Sequence, residues 1–60
     1  MTLLEFVTGL EMELQFRGVT FERRDLDAFA ADVWPLAEED PDPIRWAEAF
    51  LIAQRQAMEA

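Results

Sequence analysis

The sequence predicts an all-α fold, a small three-helix unit in a single acidic domain spanning 1–60, and three observations carry that expectation. Apolar residues recur three and four positions apart over three separate stretches, the spacing of helices that each bury one face. Gly18 and the prolines at 41 and 43 fall between those stretches, where helices end and begin. The apolar fraction is 52 %, with five Phe, two Trp and three Met, ample for a core and far from the composition of a disordered chain. The helices are expected at roughly 3–17, 21–34 with a kink at Pro35, and 43–58.

The first helix opens on Thr2-Leu3-Leu4-Glu5, a capping-box pattern in which the Thr2 hydroxyl and the Glu5 carboxylate each accept from an otherwise unpaired backbone N–H. Leu3, Phe6, Val7, Leu10 and Leu14 then share one apolar arc. Gly18 suits the left-handed residue that closes the helix, and Val19 stands where it touches Leu14 in a Schellman-type ending.

The second pattern is Leu26, Phe29, Ala30, Val33, Trp34 and Ala37, with Thr20 as the expected N-cap and Asp25, Asp27 and Asp32 turned away from the apolar centre. Val19 to Phe21 also suit a short extended stretch. Pro35 lacks an N–H and disfavours the helical region for Trp34, so a kink or break is expected there, with room for one further turn from Leu36 to Glu39. Asp42 as N-cap with Pro43 at the first helical position then begins the third helix. That helix carries Ile44, Trp46, Ala47, Phe50, Leu51, Ala53, Ala57 and Met58 over nearly half its circumference, with Gln54 near the middle of the arc. Such breadth predicts more than one neighbour. Trp34, Trp46 and Phe50 are expected to form the core around the Pro35 corner.

Composition narrows the chemistry. Without Cys or His the chain holds no disulfide, no thiolate metal site and no imidazole ligand. Without Lys, Ser or Tyr either, and with Thr2 and Thr20 read as caps, the inventory for catalysis is poor, and no enzyme is expected. The cluster Glu38, Glu39, Asp40 and Asp42 invites a calcium reading. An EF-hand register started at Glu38 or Asp40, however, puts Pro43 or Arg45 at the sixth position and Ala49 or Leu51 at the twelfth, where Gly and Glu are needed. Acids beside a helix start are already favoured by its dipole. Neither metal nor cofactor is expected.

Thirteen acidic residues against five Arg give a formal net charge of −8, which disfavours direct nucleic-acid binding and suits basic partners. The longest apolar runs are a few residues, no membrane span or signal peptide is expected, and the cytoplasm is the default location. The stretch Met1 to Val19, a short amphipathic helix ending in Gly-Val, resembles the start of some docking domains of peptide-synthesising megaenzymes. Those domains continue with a polar β-hairpin, which Phe21 to Ala37 does not resemble, so the resemblance carries over no residue role.

What remains is a non-enzymatic protein-interaction module that binds another protein or a second copy of itself. Met12 and Phe16, one turn apart on the far side of the first helix from its core stripe, are the candidate contacts, together with Trp46, Phe50, Leu51 and Gln54 on the third. A buried Gln54 needs a hydrogen-bond partner, which pairing across a two-fold axis supplies. The alternative is a nucleic-acid mimic or antitoxin-like inhibitor that sets Asp25, Asp27, Asp32, Glu38, Glu39, Asp40 and Asp42 into a basic groove.

Overall fold

Thr2 starts the first helix, α1 (Leu3–Phe16), with both halves of the capping box in place. The Glu5 N–H donates to Thr2 Oγ1 at 3.2 Å and the Thr2 N–H donates to Glu5 Oε1 at 2.9 Å. At the other end Gly18 takes φ 72, a conformation that costs glycine little. Its N–H donates to Gln15 O and the Val19 N–H to Leu14 O, both at 3.0 Å, the two bonds of a Schellman ending. The computed structural model describes residues 1–59, the side chain of Glu59 excepted, and its elements run α1, then α2 (Arg23–Ala37), then α3 (Pro43–Glu59). This is the expected all-α three-helix unit. Its radius of gyration, 10.7 Å, is close to the roughly 10 Å of a globular chain of this length.

α2 begins two residues later than the sequence suggests. Thr20 is not its N-cap; Glu22 holds that place in an extended conformation, with no side-chain cap bond. Burial accounts for the delay. Val19 and Phe21 are drawn against the core, Phe21 with its ring 6.4 Å from that of Phe50, and the chain turns helical only after they are placed. Pro35 does not end α2, which continues to Ala37. Proline leaves the Ala31 carbonyl without its helical donor, but Ala31 and Pro35 are both exposed, so water reaches that carbonyl, while Trp34 packs against the core and Ala37 lies within it. The Glu38 N–H donates to Trp34 O at 2.8 Å and closes the last turn. Asp42 opens α3 as expected: its carboxylate accepts from the Ile44 N–H at 3.0 Å and its carbonyl from the Trp46 N–H at 3.1 Å.

The core is Phe6, Val7, Leu10 and Leu14 from α1, Leu26, Ala30 and Ala37 from α2, and Ala47 and Phe50 from α3. Alanine at three of these positions lets helices approach closely. α1 packs against both other helices, which meet each other much less, so α1 is the middle element. The breadth of the apolar arc on α3 suggested that helix instead. Much of its arc stays outside the core: Ile44 and Met58 are exposed, and Trp46, Leu51 and Ala53 are half-buried. Phe6 joins the layers, with its ring centroid 5.4 Å from Trp34 and 6.4 Å from Trp46, while Phe50 meets Phe29 at 5.3 Å.

Candidate protein-interaction face

Arginines fix the helices from outside the core. Arg17, the C-cap of α1, donates to Glu13 at 3.0 Å, then reaches across to Glu48 at 2.8 Å and to the Ile44 carbonyl at 3.3 Å, both on α3. Glu13 first and Glu48 second hold the guanidinium charged, raising its pKa. Arg23 joins α2 to α1 through Glu11 at 2.7 Å and also pairs with Asp27 at 3.0 Å. At the corner, the Trp46 indole N–H donates to Asp40 O at 2.7 Å and Arg45 pairs with the Asp40 carboxylate at 2.7 Å. Nothing in the local sequence announces these cross-helix bonds, because each depends on how the helices pack.

With the helices so placed, Met12 and Phe16 project from the outer side of α1, 64 % and 88 % exposed. Beside them lies a shallow depression of about 420 Å³ lined by Gly9, Met12, Glu13, Phe16 and Pro43. Gly9 and Pro43 were not among the expected contacts; an isolated glycine inside a helical pattern was the available signal. A second depression, of about 310 Å³, has Leu3, Leu4 and Val7 on one side and the paired Arg23 and Asp27 on the other. There the ion pair already supplies a charged wall.

The contacts expected on α3 fare differently. Phe50 is 1 % exposed, packed between Phe21 and Phe29, so the chain itself covers it and it offers nothing to a partner. Trp46 and Leu51 are half-buried against the core. Gln54 is half-buried rather than enclosed, and among the described residues no buried side-chain nitrogen or oxygen lacks a partner. The two-fold pairing argued from a buried glutamine thereby loses its motive.

The acidic set is partly occupied within the chain. Asp27 and Asp40 sit in ion pairs, Asp42 caps α3, and Asp25 is half-buried. Asp32, Glu38 and Glu39 are exposed, with no ion pair among the described residues. No three acidic side chains converge to hold a metal ion among the described residues, and no described helix is long and apolar enough to cross a membrane.

Glu5 gives a pH handle on the fold. The Thr2 backbone N–H first, and its hydroxyl second, hold the Glu5 carboxyl below its ordinary value. A carboxylate so depressed stabilises the folded chain above its unfolded-state value, about 4.3, and that contribution fades as pH falls through the folded one. Glu5→Gln is therefore expected to lower the melting temperature slightly at pH 7, with the gap to the parent narrowing steadily as pH is lowered below the unfolded-state value. A gap that does not narrow in acid would show that charge is not its origin.

No family model, curated protein or solved structure matches this chain.

Proposed function

We propose that this chain is a non-enzymatic protein-interaction module, a small acidic helical subunit or adaptor in the cytoplasm, and that it binds another protein through the outer face of α1. The observation that carries this reading is the pair Met12 and Phe16, exposed side by side at the edge of a groove although the core needs neither. Single exposed apolar residues are ordinary; a methionine and a phenylalanine flanking a depression are what partner surfaces favour. Size adds weight. A standard interface buries about 800 Å² per partner, close to a fifth of the 4327 Å² this chain exposes, so a partner seated on Phe16 also covers the groove and Glu13 in its lining.

The charge-mimic reading has less support, since Asp27, Asp40 and Asp42 already act within the fold. Affinity capture from the native cell, with three tagged chains compared, tests the choice. A protein enriched by the parent and by a corner variant (Glu38→Lys with Glu39→Lys), but lost by Met12→Glu, is the expected result. Loss on corner reversal and in high salt, with Met12→Glu neutral, would favour the mimic. Light scattering at about 100 µM, well above the Kd of a micromolar dimer, shows whether the partner is a second copy.

A further inference from the structure

Gly9 lies inside α1 without a structural need to be glycine. The one positive-φ glycine among the described residues is Gly18, so the Gly9 backbone asks for nothing that alanine lacks. Packing does not ask for it either: a Cβ at position 9 would meet Pro43 Cβ at 3.5 Å, ordinary van der Waals contact. Alanine there would favour the helix. The missing side chain opens the floor of the groove between Met12, Phe16 and Pro43, and glycine in such a place permits close approach.

Glu13 is the acid in the lining of that groove, with one carboxylate oxygen bonded to Arg17, and the chain around it carries a net charge of −8. The nearby cation, Arg17, is shared between Glu13 and Glu48. A second copy would bring another chain of net charge −8 and the same Glu13 against this one, which like-charge repulsion opposes.

Resting on the apolar-face reading above, we infer that the groove seats a basic amphipathic helix of the partner, one large apolar side chain lying over Gly9 between Met12 and Phe16, with Lys or Arg residues facing Glu13 and the acidic surface around it. Helices laid in grooves are anchored in this way, by apolar residues at helical spacing flanked by complementary charge.

The test uses the intact chain and fluorescent peptides of about 18 residues, long enough to hold a helix: an amphipathic leucine–lysine peptide, its scrambled form, and a leucine–glutamate counterpart. The amphipathic basic peptide should bind at least about tenfold tighter than either control. Gly9→Ala should raise the melting temperature of the free chain yet weaken that peptide about fivefold or more, as an added methyl fills the floor. Equal binding of the scrambled or acidic peptide, or a Gly9→Ala chain that binds as the parent does, overturns the inference. So does a Gly9→Ala chain that melts lower, or a homodimer that Phe16→Glu dissociates. If the peptide fails while Met12→Glu still releases the native partner, this occupant falls and the apolar-face reading stands. If Met12→Glu releases nothing, that reading falls first.

Discussion

Phe6→Ala is expected to unfold much of the population at physiological temperature. Its ring is 1 % exposed and touches Trp34 on α2 and Trp46 on α3, so one substitution loosens both faces of the middle helix. Truncating a buried phenylalanine to alanine costs about 3–5 kcal/mol. A chain of 60 residues has roughly 3–9 kcal/mol of stability in all, at 0.05–0.15 per residue. Without disulfides or metal ligation by Cys or His, nothing else compensates. Thermal melts followed by circular dichroism should show a midpoint at least about 15 °C lower, or no cooperative transition. Leu36→Ala, at a position 72 % exposed, should stay within about 0.5 kcal/mol of the parent. If the two variants melt alike, the core has been placed wrongly.

Phe16→Glu is expected to do the opposite, leaving the fold intact and weakening the partner by about a hundredfold or more. At 88 % exposure the ring contributes little to the free chain. Burying it in a complex returns about 1.5–3 kcal/mol, and a glutamate in its place sets an unpaired charge into the same contact, so the combined loss exceeds the roughly 2.7 kcal/mol of a hundredfold change. Titration calorimetry against the captured partner checks the affinity, and a melt of the free chain checks the fold. A variant that binds as the parent does would remove Phe16 from the interface.

Local codes were readable in the sequence because they act over a few residues. Thr2 with Glu5, Gly18 with Val19, and Asp42 with Pro43 each determine a helix end through bonds within one turn, and all three form. Where local and tertiary preferences compete, the sequence misleads. Thr20 is a better N-cap than Glu22 by residue type, but burying Val19 and Phe21 delays the helix. Pro35 argues for an end at Trp34, but packing of Trp34 and Ala37 carries α2 onward.

The candidate face was half legible. Met12 and Phe16 stood out by helical spacing alone, since they oppose the core stripe of their own helix. Gly9 and Pro43 join them only because α3 begins beside the middle of α1, which no periodicity encodes. Phe50 carries two expectations, core residue and partner contact, and only the first holds: Phe21 in the α1–α2 turn and Phe29 on α2 cover it.

The claim at the centre of this account is that the outer face of α1, and not the acidic corner, meets the partner. Amide chemical shifts of the isotope-labelled chain, recorded as the captured partner is added, test it residue by residue. The account predicts the largest changes at Gly9, Met12, Glu13, Phe16 and Ile44, with Glu38, Glu39 and Asp40 little moved. A footprint centred on Glu38 to Asp42 and Asp32, with Gly9 and Phe16 unchanged, would contradict it.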